Sequence, residues 1–369
     1  MKRSLPKVVL VHILRRLPPS AQCRASLVCR LWRKIIGEVT KEMQIRAKLL
    51  LWNTRSAVAY VMDDLSPSSA GSRRELWRGG TNQQLVGTSN GLLCLCDNSC
   101  GSRPGGDVTL VNPATRETLA IPPLPHAGEL VGHHREATRW DKAYSFGFHP
   151  TTGRYKVVHV PCSFDWVCKF DAVYVLTLGK EASWRKVPAG PGTSCNLDAG
   201  IVSVDGVTHW VTVTDDGAAT RVVSFDLGGE LLTFSPTPRK LGLTDDYNLT
   251  EVRGRLGVVG RKPSGTRDAW VLEKGRWIHR FRVKSRWQDI PRPNFAFGDY
   301  YLLKREGTKL YGHRILDWRW YDMVEVGYGD QGMLVAKMTG DNTCYFYDCY
   351  HTFAYVSTLE PLNIYSTKV

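Results

Sequence analysis

The chain has 369 residues, with 49 Lys+Arg against 35 Asp+Glu, a formal charge of +14. Hydrophobic residues at 43% and charged residues at 23% exclude a disordered or fibrous chain, and no run reaches the roughly 18 apolar residues of a membrane helix. The 34 Gly, 19 Pro, 12 Trp and 15 Tyr point to short strands between turns, while the charge raises nucleic acid as a partner class without identifying it.

Residues 1–50 hold one Gly and no Asp, and their apolar residues recur at helical spacing. Lys2 and Arg3 before an apolar run imitate a signal peptide. His12 interrupts that run, however, Arg15 and Arg16 close it, and no small-residue cleavage site follows. Pro6 stands where a first-turn proline is tolerated, and Val9, Leu10, Ile13, Leu14 and Leu17 share a face. Pro18-Pro19 breaks this helix, Ser20 reads as the cap of the next, and Leu27, Leu31, Trp32, Ile35 and Ile36 continue a second apolar face. Two or three short helices of this size bury too little surface to stand alone, so the segment is expected to complete its core on a partner.

From about residue 53 the pattern switches to strands. Apolar or alternating runs recur at 91–96, 108–111, 155–160, 173–178, 201–204, 208–213, 222–225, 256–259, 270–272 and 277–283. Turn signals separate them, among them Ser89-Asn90-Gly91, Asn112-Pro113, His149-Pro150, Asp205-Gly206 and Asp215-Asp216-Gly217. Asn112-Pro113 and His149-Pro150 form a weak internal echo, as do the strands led by Trp184 and Trp277. Short strands repeating over this length predict an all-β domain of β-propeller type, with a two-sheet β-sandwich as the alternative. Residues 67–74 and 99–106 read as loops.

Ten thinly spread cysteines in so large a chain read as reduced thiols, which places the protein in the cytoplasm or nucleus. Cys94, Cys96 and Cys100 mimic a metal site, but the first two alternate within an apolar run and are read as buried strand residues. Gly87-Thr88-Ser89-Asn90-Gly91 matches a hydrolase elbow in letters only. A strand follows it, and Asn-Gly is a hairpin signal. His133-His134, His149 and His159 have no partners at ligand spacing. The stretch from Arg276 to Trp287 mixes basic and aromatic residues, as a nucleic-acid surface does. Strand alternation instead puts Trp277 or Ile278 in a core and Arg280, Arg282 and Lys284 in solvent. Asp317-Trp318-Arg319-Trp320-Tyr321 reads as either a recognition loop or a blade core.

The first segment resembles an F-box. The matching residues are Leu5-Pro6, the run from Val9 to Pro18, and Leu27-Val28-Cys29-Arg30-Leu31-Trp32-Arg33-Lys34-Ile35-Ile36; Val8 departs from the pattern, where the family usually has an acidic cap. The stretches 86–96, 111–123, 144–158, 183–188, 204–210 and 224–231 are similar to the F-box-associated domain of plant F-box proteins. The resemblance implies a small all-α F-box of three short helices at 1–48 and a β-rich substrate-recognition domain at 53–369. It further implies a non-catalytic receptor subunit of a Skp–cullin–F-box ubiquitin ligase, without cofactor, metal or membrane. Such a subunit docks on a Skp-type adaptor, and through it on a cullin–RING ligase, and presents an unidentified target protein. Carried over by motif, the adaptor-binding residues are Leu5, Pro6, Ile13, Leu14, Leu17, Pro18, Val28, Cys29, Trp32 and Ile36. The alternatives are a basic RNA- or DNA-binding β protein and a propeller enzyme; the latter needs a ligand set or nucleophile–base pair that the sequence does not present. Residues 1–50 carry 12 Lys+Arg against Glu38 and Glu42, so most of the +14 belongs to the helical segment and is expected to steer an acidic partner.

Overall fold

Three helices precede the sheets: α1 (Lys7–Arg16), α2 (Pro19–Ser26) and α3 (Arg30–Ile45). They belong to a computed structural model that describes residues 6–45, 47–62, 73–99, 105–125, 139–162, 168–213, 220–238, 246–262, 264–284, 294, 296–297, 301–306, 309–314, 324–326, 333–337 and 350–366. Helix α1 opens on Pro6 with no side-chain cap and no acidic residue in its first turn, as the departure at Val8 implies. Helix α2 also receives no cap from the side chain of its own N-cap residue. Its N-cap is Pro18, and Ser20, expected to cap, lies inside the first turn instead.

The remainder is a ring of six antiparallel sheets among the described residues, a β-propeller and not two packed sheets. Blade 1 joins Tyr350–Tyr355 to Lys48–Asn53, Val58–Met62 and Arg73–Arg78. Blade 2 comprises Gln83–Ser89, Leu92–Asp97, Asp107–Asn112 and Glu117–Ala120. Blade 3 comprises Tyr144–His149, Arg154–His159, Cys168–Thr177 and Trp184–Cys195. Blade 4 comprises Val202–Val204, Val207–Val213, Thr220–Asp226 and Leu232–Pro236. Blade 5 comprises Asp246–Val252, Arg255–Arg261, Arg267–Glu273 and Arg276–Val283, with Val324–Val326 added in parallel at its edge. Blade 6 comprises Ala296–Phe297, Tyr301–Glu306, Lys309–Arg314 and Met333–Lys337.

Apolar cores lie between neighbouring blades. Leu85, Leu93 and Leu95 of blade 2 pack with Trp52, Ala59 and Phe353 of blade 1, and Leu303 and Leu310 of blade 6 pack with Leu49 and Leu51 of blade 1. The ring therefore closes in blade 1, where Lys48–Asn53 lies between Tyr350–Tyr355 and Val58–Met62. This moves the domain start from the expected 53 back to Lys48. The run from Leu49 to Trp52 is apolar at every position because neighbouring strands and neighbouring blades enclose it on all sides, so it lacks the alternation that marks a half-exposed strand.

Local signals explain much of the strand layout. Asn90-Gly91, Asp205-Gly206, Arg253-Gly254 and Lys274-Gly275 all have positive φ at both residues, the geometry of tight type I′ hairpins. At Gly91 a Cβ would also collide with the carbonyl oxygen of Val356, so this turn needs glycine twice over. Ser89 thus ends a strand at a hairpin. Cys94 and Cys96 are fully buried in the next strand, where burial pushes both thiols up. The turns Asp215-Asp216-Gly217, His133-His134, Cys100, the segment 317–321 and residues 286–287 lie outside the described residues.

The two sequence echoes have different meanings. The indole N–H of Trp184 donates to the Pro122 carbonyl at 2.7 Å, and that of Trp277 to the Pro236 carbonyl at 2.7 Å. Each tryptophan ties the outer strand of one blade to the chain at the outer edge of the preceding blade. Asn112 and His149 instead cap turns at different strand positions, accepting from the amides of Ala114 and Thr152 at 2.9 and 3.1 Å. Theirs is shared turn chemistry, not a repeat in register.

His159, in blade 3, is fully buried between Tyr144 and Tyr174, at ring-centroid distances of 4.6 and 6.3 Å, and neither ring nitrogen has a hydrogen-bond partner among the described residues. Burial lowers its pKa to about 3, and that of buried His209 to about 4. Both are depressed below the unfolded value near 6.5, so their neutral forms support folding above that pH and the support is lost as pH falls toward the folded values. Stability is expected to drop below about pH 6.5, by up to ~1.4 kcal/mol per pH unit for each histidine. His159→Phe is expected to remove one of the two contributions, read as a shallower slope in urea melts between about pH 6 and 4.5.

Candidate docking surface

The helical module has its own small core. Leu10, Leu14, Ala25, Ile35, Ile36 and Val39 are buried, with Val11, Leu17 and Trp32 packed against them. The side chain of Gln22 is buried as well. Its Nε2 donates to the carbonyls of Leu14 and Leu17 at 2.9 and 3.1 Å, satisfying the C-terminal end of α1.

Two apolar groups remain outside this core. Val8, Val9 and Ile13 are exposed on α1; Leu27, Val28 and Leu31 are exposed at the α2–α3 corner, Leu27 at 71% and Val28 at 64%. Large aliphatic side chains left in water on so small a module are the signature of a surface meant to be covered. Arg15, Arg16, Arg30, Arg33 and Lys34 are exposed on the same helices, while Lys7 pairs with Glu38 at 3.6 Å. The surface is apolar with a strongly basic surround.

The candidate residues divide accordingly. Pro6, Ile13, Val28 and Cys29 are exposed, and Leu17, Pro18 and Trp32 are half-buried. Leu14 and Ile36 lie inside the module's core, where they shape the surface without lining it. Leu5 lies outside the described residues. Val9, Leu27 and Leu31 are exposed too; they fall within the matched runs and on the apolar faces read from periodicity, but not among the residues carried over as adaptor contacts.

The other candidate surface, the basic and aromatic strand Arg276–Val283, has different chemistry. Its burial pattern puts Arg280, Phe281 and Val283 inside, correcting the expected alternation, because the register with Arg267–Glu273 shifts between Ala269 and Trp270. Arg280 forms a fork with Glu273, both bonds 2.8 Å, and Arg282 forms one with Asp268 at 2.8 and 3.2 Å. Lys262 and His279 also face Asp268, at 2.7 and 3.2 Å. Burial by itself raises the Asp268 pKa, but hydrogen bonds from Arg282 and Lys262 outweigh it and hold the group at about 2. These cations are committed to carboxylates of their own blade.

Comparison with known proteins agrees with this division. Residues 3–39 match an F-box-like family model, and residues 69–297 match the model of the F-box associated beta propeller domain. The chain belongs to the F-box-associated β-propeller family. Among its relatives in Arabidopsis thaliana, Putative F-box protein At4g09190 is 25% identical, the match covering 84% of this chain and 82% of that protein. F-box protein At3g07870 is 27% identical over 77% of this chain and 71% of its own. F-box/kelch-repeat protein At3g04660 is 23% identical over 73% and 70%. The helical module of this F-box protein is thus the F-box, and its sheets are the associated propeller.

Proposed function

We propose that this F-box protein is the non-catalytic substrate-recognition subunit of a Skp–cullin–F-box ubiquitin ligase, acting in the cytoplasm or nucleus. The F-box docks on a Skp-type adaptor, and the propeller binds a target protein. The observation that carries this reading is the pair of exposed apolar groups on a module whose sequence matches the F-box. The basic surround favours an adaptor with an acidic face, because opposite charge speeds encounter more than it strengthens the final complex. Nucleic-acid binding has less support, since two of the arginines that raised it, Arg280 and Arg282, are paired with Glu273 and Asp268.

The test is to mix the full chain with a Skp-type adaptor and follow association at several salt concentrations. A one-to-one complex is expected, with an association rate falling at least tenfold between about 0.05 and 0.5 M salt as the charges are screened. No complex, together with RNA or DNA binding whose affinity falls steeply with salt, rejects the adaptor in favour of nucleic acid.

A further inference from the structure

The first-turn amides of a helix need acceptors, and α2 brings none of its own, with Pro18 at its N-cap and no acidic residue in its first turn. The acceptor comes from the other end of the chain. The Ser20 amide donates to Oε2 of Glu360 at 3.1 Å, across 340 residues of sequence. Glu360 is fully buried, and its Oε1 accepts from the Tyr365 hydroxyl at 2.7 Å. A carboxylate here also meets the positive end of the helix dipole.

The segment carrying Glu360 is held firmly to the propeller. Asn112 Nδ2 donates to the carbonyls of Glu360 and Thr358 at 2.8 and 3.3 Å, and Glu117 accepts from the Leu362 amide at 2.9 Å. Leu362 is buried in the core between blades 2 and 3, and the Tyr365 ring meets Tyr155 edge-on at 6.1 Å. One helical turn beyond Ser20, the Cys23 thiol points at the carbonyls of Pro150 and Thr151, at 3.4 and 3.5 Å. Gly153 makes room for it, since a Cβ there would stand 2.6 Å from the sulfur.

Helix α2 thus rests on two parts of the propeller far apart in sequence, while the covalent link is only the short step from Ile45 to Lys48. We propose that Glu360 is a positioning residue: a helix cap, supplied by the C-terminal segment, that sets the angle of the F-box on the propeller. The exposed groups on α1 and at the α2–α3 corner are then held at one distance and direction from the blades. The value of that geometry for ubiquitin transfer rests on the proposed function; the geometry itself does not.

The experiment uses the full chain with spin labels on noncanonical residues at exposed Lys34 and Lys180, read by pulsed electron–electron distance measurements. Glu360→Ala is expected to widen the distance distribution at least twofold, while Glu360→Gln, which keeps an acceptor for Ser20, stays close to wild type. Adaptor affinity is expected to stay within twofold in both, because Glu360 is itself fully buried and is not one of the exposed groups. If Glu360→Ala does not fold, Tyr365→Phe, which frees the carboxylate from its second partner, carries the test and is also expected to widen the distribution. A wild-type width in the folded variant overturns the proposal. Loss of adaptor binding by the wild-type chain bears instead on the proposed function.

Discussion

Val28→Asp together with Leu31→Asp is expected to abolish capture of a Skp-type adaptor while leaving the melting temperature of the chain nearly unchanged. Val28 and Leu31 are 64% and 49% exposed, so replacing them removes little from the folded state, and exposed substitutions of this kind are usually worth no more than about 0.5 kcal/mol. Leu31 lies in the first turn of α3, where a carboxylate is tolerated by the helix dipole. In a complex, by contrast, two carboxylates would be buried against an apolar partner surface without counter-ions. A penalty of about 3–5 kcal/mol, roughly two to three and a half orders of magnitude in affinity, follows. Leu14→Ala and Ile36→Ala are expected to lose binding by another route. Each empties part of the F-box core at a cost of about 2–5 kcal/mol, so hydrogen exchange in the helices rises with the loss of capture. Trp32→Ala combines both effects, since the indole is half-buried on that core. Titration calorimetry beside hydrogen exchange separates the classes. Undiminished capture by the double Asp variant would remove the corner from the docking surface.

A chain starting at residue 54 is expected not to form the propeller, whereas one starting at residue 47 folds. The deleted strand Lys48–Asn53 is the second of blade 1 and pairs on both sides, with Tyr350–Tyr355 and Val58–Met62. Leu49, Leu50, Leu51 and Trp52 are all at most 1% exposed, and at about 1.5–3 kcal/mol for each buried side chain their loss removes on the order of 10 kcal/mol. That equals the whole stability of an ordinary domain. The loss also leaves two facing strand edges without partners, an invitation to aggregation. Circular dichroism and size-exclusion chromatography of the two truncations decide the matter. A folded monomer from residue 54 would mean that blade 1 does not close the ring as described.

The F-box was legible from spacing because its helices are local. Pro6, the apolar stripe from Val9 to Leu17 and the break at Pro18-Pro19 specify α1 with no help from distant residues. The strands were legible for the same reason, through Asn90-Gly91 and Asp205-Gly206 and the alternation between them. The docking surface was only half legible. Periodicity cannot tell Leu14, which faces the core, from Ile13, which faces water, until the packing of α1 against α3 is known.

What the sequence determined by itself is the division of the chain into a basic helical segment and a β-rich remainder, and the family of each. Composition, hydrophobic period and turn residues act over a few positions and are read directly. Tertiary structure alone decided the rest. It drew Tyr350–Tyr355 beside Lys48–Asn53 to close the ring, turned Arg280 and Arg282 toward Glu273 and Asp268, and placed Glu360 at the start of α2. Each of these contacts joins groups that are distant in the chain or related through a bulged register. Their partners are chosen by the geometry of the folded ring, which no local pattern of residues encodes.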